Sequence, residues 1–519
     1  MRTLGVRAVR APVAAVGLFL AAIYGAYLAA EAILTDNLVS LGLAAGLVIA
    51  AVVFVVVLKD WRNGLYLLVA WMLFEDFFRK YLGNNMEIYF AKDVLSLILY
   101  LSFFRAQRSQ QVRTFRIPFR LPLFLFIWFA FLQAFNPASS SIYYGILGMK
   151  VDFIYIPLIY VGYALIQSEE DLQRFFSFMC VLMLVVAGLG LAQSIIGPSF
   201  LNPQAPQEEI RGLSTLYRVA PISGLVAYRA ASIFVSHGRF VDFLIVSWIV
   251  SLGYGGYLLL RSRRGRTLAF TTIGVIGAAS LMSTSRGALM WNIGSGLVIT
   301  AGFLWGAPWR QREALRVFRA LQRITLVTGI GIVALLTIFP HELGSRLAVY
   351  SETLLPDSPT TELIHRTQTY PLQQLGYAFD YPRWPYGYGL GTCTLGTQYV
   401  IRIFHAQPMG VAVESGYGQL VLELGIVGLA LWVVLSLSLA ISAWKAVILL
   451  RGSPWFPLSF SIFLFAFLIF FPMMFTGIST YQDFILNSYV WLLLGVLYRL
   501  PLFQKTAERA QNQAMARQA

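Results

Sequence analysis

From Val411 the chain turns apolar and stays so for about thirty residues, longer than the roughly twenty needed to cross a bilayer as a helix. Comparable runs recur from one end of the sequence to the other, and they decide its class. Only 12% of the 519 residues are charged, 58% are hydrophobic and the mean hydropathy is +0.69. Soluble domains carry roughly 25% charged residues. The expected fold class is therefore an all-α polytopic membrane protein, a bundle of about 12–14 transmembrane helices with one large ordered loop. Apolar windows fall near 11–34, 38–58, 64–78, 91–104, 121–135, 143–166, 175–196, 240–260, 268–283, 287–305, 324–340, 412–444, 456–475 and 483–498. Four of them (64–78, 91–104, 121–135 and 268–283) are short, which leaves twelve spans as an alternative to fourteen.

Charge orients the bundle. The formal net charge is +15, which in a soluble protein would suggest nucleic acid. In a membrane protein the basic residues act as loop charges that set topology, so no nucleic-acid partner is expected. With a cytoplasmic N-terminus, the inner loops hold Lys59/Arg62, Arg105–Arg120, Arg174, Arg261–Arg266, Arg310–Arg323 and Lys445/Arg451, and together with both termini that side carries most of the Lys and Arg. Both termini are then cytoplasmic, and the two long external segments are 197–239 and 341–411. The N-terminus, with Arg2, Arg7 and Arg10 before an apolar run, resembles a signal peptide. Ala11–Leu34 is too long for one and reads as the first span. The expected organisation is N-terminal helices over 1–200, central helices with two arginine motifs over 201–340, the large loop over 341–411, C-terminal helices over 412–498 and a cytoplasmic tail over 499–519. Cys180 and Cys393 form no metal or redox pattern.

Three charged positions converge on the external face under this topology: Arg229 before one span, Arg286 in a tight connection between two, and Glu414 at the mouth of a third. Arginine's planar fork suits pyrophosphate, which needs several directed donors. Ser283, Thr284 and Ser285 add hydroxyls beside Arg286, and Gly287 lets the backbone turn closely there. The alternative reading of Arg286 is an interfacial arginine that snorkels to water. Lys150 and Asp152 lie in one span at i,i+2, where they do not face each other; each is either half of a structural ion pair or, for Lys150, a contact to lipid phosphate. His405 lies nine residues before Glu414 and is a second candidate base. Arg366, Arg383 and Arg402 sit in the large loop, as solvated charges or substrate contacts. Glu75/Asp76 and Arg79/Lys80 read as interfacial pairs. The aromatic-rich stretch 370–399 offers either sugar stacking or interfacial anchoring. No Asp-x-Asp pair, His/Cys cluster or phosphate-cradling glycine loop is present, so no metal or other cofactor is expected.

Four stretches, in order, resemble the O-antigen ligase / O-antigen polymerase family of bacterial membrane glycosyltransferases. The first is the Arg229 segment, Tyr228 to Leu244, with Ser236-His237-Gly238 where the family commonly has Pro-Asn. The second is Ser285-Arg286-Gly287. The third is the glycine-rich piece Tyr386 to Gly391, preceded by Arg366 and a proline-rich approach. The fourth runs from Glu414 through Tyr417, Gln419 and Glu423 to Gly425 and Gly428, similar to the family's His-Asn-x-Tyr-Leu-Gln-x-Leu-x-Glu-x-Gly. The likeness covers roughly residues 220–430. Ligases open the fourth motif with histidine, and this chain has Glu414.

The resemblance implies a metal-independent inverting glycosyltransferase of the bacterial inner membrane with a periplasmic site. Its donor and acceptor would be undecaprenyl-pyrophosphate-linked oligosaccharides, polymerised into a cell-surface or exopolysaccharide, with a chain-length regulator as a further partner. Arg229 and Arg286 would bind pyrophosphate, and Glu414 would serve as base. Ser285, Tyr417, Arg366, Lys150 and His405 complete the candidate substrate-binding set. The alternative within the class is a ligase transferring glycan to lipid A-core or to protein. From another class, a lipid-linked glycan flippase would spread ionisable residues along a cavity across the bilayer. The absence of an internal repeat counts against a transporter of repeated halves.

Overall fold

The computed structural model describes residues 52–81, 86–109, 115–198, 200–202, 217–262, 264–308, 337–354, 364–475 and 480–518, with the side chains of 86–87, 366 and 505–518 excluded. The expected spans at 11–34 and 324–340, and most of 38–58, lie outside the described residues. Every other apolar window coincides with a helix. These are α1 (Trp61–Tyr81), α2 (Met86–Arg108), α3 (Arg120–Gln133), α4 (Ile142–Phe153), α5 (Leu158–Leu165), α6 (Glu169–Ile196), α7 (His237–Arg261), α8 (Arg266–Met282) and α9 (Arg286–Gly306). The loop helices are α10 (Pro340–Leu354), α11 (Tyr370–Tyr377) and α12 (Thr397–Phe404), and α13 (Gly416–Ile448), α14 (Phe456–Phe470) and α15 (Phe484–Gln518) close the chain. Among the described residues, seven helical segments are long and apolar enough to cross a membrane, counting α4–α5 as one, and α3 and α8 are shorter apolar helices. The only strands among the described residues form one short hairpin, Tyr217–Val219 with Val226–Tyr228. The protein is all-α and multi-pass.

The chain divides into two compact units, Met1–Met72 with Met86–Arg113, and Leu73–Asn85 with Thr114–Ala519. In the first, the Trp61 ring meets Phe103 edge-on at 5.2 Å. In the second, α7 is central and packs on α6, α8, α9, α14 and α15. Its partner faces are apolar and fully buried, as at Phe243, Val246 and Tyr257. Outward faces are equally apolar: Phe124, Leu297 and Val434 are 62%, 67% and 52% exposed. Such exposure suits lipid, where contact between helices rests on close packing more than on exclusion from water. Gly162 and Gly495 provide it between α5 and α15: an added methyl at either would meet a backbone carbonyl at 2.0–2.1 Å.

Serines start the helices where the sequence places them. Ser141, Ser236, Ser285 and Ser415 accept from backbone N–H groups in the first turns of α4, α7, α9 and α13. Ser168 and Asp171 form a reciprocal capping box on α6. Each satisfies a donor that the helix start leaves open. Successive spans run antiparallel, so these ends sort onto two faces of the second unit. One face holds Arg261 on Glu169 at 3.0 Å, Gly452 N–H on Gly306 O at 2.8 Å and Arg499 on Ile166 O at 2.8 Å. The other holds the long loops and is called the loop face below.

Helix α13 begins at Gly416, so the window read as opening at 412 starts four residues late and Glu414 precedes the helix. The helix breaks once, at Gly425, where φ is 70°. The stretch after the break, 426–448, is about 35 Å long at 1.5 Å per residue, enough to span alone. The break frees carbonyls, and the glycine-rich loop takes them: Tyr388 N–H donates to Leu422 O at 2.7 Å and Gly389 N–H to Glu423 O at 3.0 Å. Ile426 N–H in turn donates to Pro385 O at 3.2 Å. No side chain fits in this contact; a methyl on Gly425 would lie 2.5 Å from Pro385 O, and one on Gly387 2.5 Å from Glu423 O.

Candidate functional site

The two arginine motifs meet at the loop face. Arg229 follows the second strand of the hairpin in a segment fixed on both sides. Gln193 of α6 accepts from Ala231 N–H at 2.9 Å and Ser232 N–H at 2.7 Å, and Lys80 donates to Ser232 O at 2.8 Å. The His237 ring closes the segment through Ala230 O at 2.8 Å. Arg286 opens α9 directly after its cap, Ser285, and the turn from α8 places Thr284 in the left-handed region at φ 63°. The Thr284 hydroxyl donates to Tyr228 O at 2.9 Å, which ties the second motif to the residue before Arg229. Burial, and then the Arg286 cation, hold the Arg229 guanidinium below its ordinary range. The two like charges thus act on each other at this corner.

Arg346 of α10 builds this corner and had no part in the sequence reading. Its buried guanidinium donates to Met282 O at 2.8 Å, Ser194 O at 2.9 Å, Tyr228 O at 3.4 Å and Glu342 O. Met282 and Ser194 end α8 and α6, where carbonyls lack helical partners and a cation is favoured. Burial lowers the Arg346 pKa from its ordinary value, and Tyr350, Glu342 and Tyr228 oppose the shift. All this arginine's donors are turned to the fold, whereas Arg286 lines a cavity.

That cavity has a volume of about 940 Å³. Its lining joins polar residues, Arg218, Ser285, Arg286 and Gln368, with apolar ones, Met290, Val298, Leu464 and Leu468. Among the described residues, no Asp or Glu lines it. A π-helical turn, His365–Thr369, leads into α11 at its rim, a distortion that recurs at functional sites. Tyr370 follows, lines the cavity and donates its hydroxyl to Glu414 Oε2. Glu414 is exposed, and its N–H donates to Gln374 Oε1 at 3.0 Å. Glu414 thus meets the cavity through the lining residue Tyr370.

The other predicted positions divide. Ser285 lines the cavity, but its Oγ accepts the α9 cap bond from Ala288 N–H at 3.2 Å. Tyr417 is turned inward: its hydroxyl donates to Phe470 O at 3.2 Å, and its ring lies 4.5 Å from Phe475, a cavity residue. It backs the wall. Arg366 falls on the π-helical turn, and its side chain is outside the described ones. His405 is exposed at the end of α12, at φ 52°, beside Phe404, which stacks on Tyr143 at 3.9 Å. Lys150 is half-buried on α4. Its neighbour Asp152 accepts from Gln482 at 3.1 Å, and Gln482 also bonds Thr394 and Gln419. Arg229, Glu414, Lys150 and His405 are not among the residues lining the cavity. The pairing expected near residue 76 exists but reaches further: Asp76 holds Arg79 at 3.1 Å and Arg239 at 2.7 Å.

Glu423, the deeper carboxylate of the fourth motif, has a structural task. Buried at the break in α13, it accepts from Gly391 N–H at 3.0 Å, Cys393 N–H at 2.8 Å and the Thr394 hydroxyl at 2.9 Å. It pins the glycine-rich loop to the membrane helix. Tyr381, Trp384 and Tyr388 pack around Val411, Val421 and Leu422, so these loop aromatics anchor it, while Tyr386 is 75% exposed. Arg218, Tyr370, Glu352 and Arg346 were invisible in the sequence because their partners lie on other elements. No family model matches the chain, and no curated protein sequence is significantly similar to it.

Proposed function

We propose that this protein is a membrane glycosyltransferase that polymerises undecaprenyl-pyrophosphate-linked repeat units at the periplasmic face of the bacterial inner membrane. The observation that carries the reading is the mixed lining of the cavity. Its arginines, Arg218 and Arg286, suit a pyrophosphate, its apolar residues suit a polyprenyl chain, and the lining Tyr370 bonds the Glu414 carboxylate. The acceptor sugar hydroxyl attacks the anomeric carbon, the new C–O bond forms, and the bond to pyrophosphate breaks with inversion. Glu414 takes the hydroxyl proton. Arg286 and Arg229 hold the negative charge that grows on the leaving pyrophosphate, an electrostatic contribution that removal of one donor typically lowers by 10²–10³-fold. The face opposite the cavity carries Arg261, Arg264, Arg266 and Arg451, which supports a cytoplasmic assignment for that side.

Purified protein incubated with undecaprenyl-pyrophosphate glycans of candidate repeat units tests the proposal. Wild-type protein should give a ladder of products. Arg286→Ala, Arg229→Ala and Glu414→Gln should each reduce turnover by roughly a hundredfold or more while inserting normally. A single transfer to a lipid A-core or protein acceptor would replace polymerase by ligase. Full turnover by a folded Glu414→Gln protein would remove the base from the mechanism.

A further inference from the structure

The β-hairpin brings to the cavity a charge that the mechanism above leaves unused. Arg218 pairs with Ala227 across the hairpin, and its neighbours Tyr217 and Val219 point the other way, 41% and 57% exposed. The two-residue period of a strand thus turns Arg218 alone of the three inward. It is half-buried and lines the cavity with Arg286. Its charge, like that of Arg229, is felt at His237, and it is also felt at Tyr350, so the three cations share one corner.

The hairpin is held in place from its tip. The Glu352 carboxylate, at the end of α10, accepts from Ile222 N–H at 2.6 Å and Ser223 N–H at 3.2 Å. Helix α10 is itself fastened to the spans by Arg346 and by the Tyr350 hydroxyl, which donates to Leu281 O at 2.9 Å. A continuous set of contacts therefore runs from the ends of α6 and α8 through α10 and Glu352 to the strand that carries Arg218.

We propose that Arg218, which lines this cavity with Arg286, is a third pyrophosphate-binding arginine beside the two of the mechanism, and that Glu352 is its positioning residue. The inference rests on the pyrophosphate reading of the site and adds a chemical role. The donor is a pyrophosphate diester with two negative charges. Breaking its sugar–oxygen bond leaves a pyrophosphate monoester that carries one charge more. Arg229 and Arg286 match the donor, and Arg218 matches the added charge, in a cavity where no described lining residue is a carboxylate. Arginine supplies parallel donors to such a group, which lysine does not.

The test is binding by the full chain in nanodiscs, with undecaprenyl pyrophosphate as probe and undecaprenyl monophosphate, inorganic pyrophosphate and phosphatidylglycerol as comparisons. Wild-type protein should prefer the pyrophosphate lipid. Arg218→Ala should weaken that binding roughly ten- to a hundredfold, the loss of one charge-assisted contact set. It should weaken monophosphate binding less, and Arg218→Lys should recover only part of the loss. Glu352→Gln should weaken binding roughly threefold to tenfold in the wild-type background, yet add nothing to Arg218→Ala, the coupling expected of a residue that acts through another. Unchanged affinity in Arg218→Ala, with binding lost in Arg286→Ala, would overturn this inference and leave the site standing. A wild-type protein that binds no pyrophosphate lipid would remove both, and equal affinity for phosphatidylglycerol would reduce the cluster to a general lipid contact. Additive losses would remove Glu352 from the role. Should Arg218→Ala fail to fold, Arg218→Gln carries the same comparison with its melting temperature as the control.

Discussion

Four arginines stand in one corner of the loop face, and their partners separate their roles. Arg346 spends its donors on carbonyls of three other segments, including Ser194, 152 residues away in the chain. Arg286 and Arg218 keep a face on the cavity. Removing Arg346 leaves helix-end carbonyls buried without donors, at about 1–3 kcal/mol for each group that water cannot reach. Arg346→Ala should therefore lower the melting temperature in detergent by several degrees and disable the site by loss of structure, since Tyr228 and Met282 flank both motifs. Arg286 instead presents its side chain to the cavity. Arg286→Ala should lower turnover with a smaller change in melting temperature than Arg346→Ala. Equal destabilisation by the two substitutions would show that the distinction between building and binding arginines is wrong.

At the scale of elements, the break in α13 is where loop and membrane helix become one object. Gly425 opens the ladder, Tyr388 and Gly389 fill it, and the Glu423 carboxylate closes the loop from inside. The loop contains its own reporter. Burial, and then the Glu423 carboxylate, hold the Cys393 thiol well above its ordinary range, and its Sγ–H contacts Val411 O at 3.5 Å. In a Cys180→Ser background, Cys393 should resist iodoacetamide in the folded protein. Glu423→Ala should expose it, with labelling faster by roughly tenfold or more, because three donors lose their acceptor together. Slow labelling in that variant would mean that the aromatic packing alone holds the loop. Much of this was legible beforehand, and part was not. Apolar windows located the spans because lipid burial is written along contiguous residues. The motif containing Glu423 was also visible, but its partners lie about thirty residues back in the chain. Arg218 was hidden for a related reason: a three-residue strand inside a loop gives too short a pattern to show which side faces a cavity.

For the whole molecule, the decisive property is sidedness. The parity of the spans brings the ends of α3, α6, α8 and α14 and the starts of α4, α7, α9, α13 and α15 to the loop face, so residues from five separate stretches meet at one cavity. Sequence counting reached the same grouping for Arg229, Arg286 and Glu414, since each span crossed reverses the side. What counting does not supply is which side faces the cytoplasm; that rests on the basic loops. Moving one cation against a potential of 100 mV costs about 2.3 kcal/mol, so the cluster at 261–266 with Arg451 resists translocation strongly. In a protein without native cysteines, single cysteines at Ser223 and Gln407 should label with an impermeant maleimide from the periplasmic side. Those at Ser262 and Gly452 should label only after the membrane is opened. Labelling of Ser223 and Gln407 from opposite sides would break the shared face and with it the mechanism. Labelling of all four in the reverse sense would keep the cavity intact but place its arginines toward the cytoplasm, where a lipid-linked donor would have to be met before it crosses the bilayer.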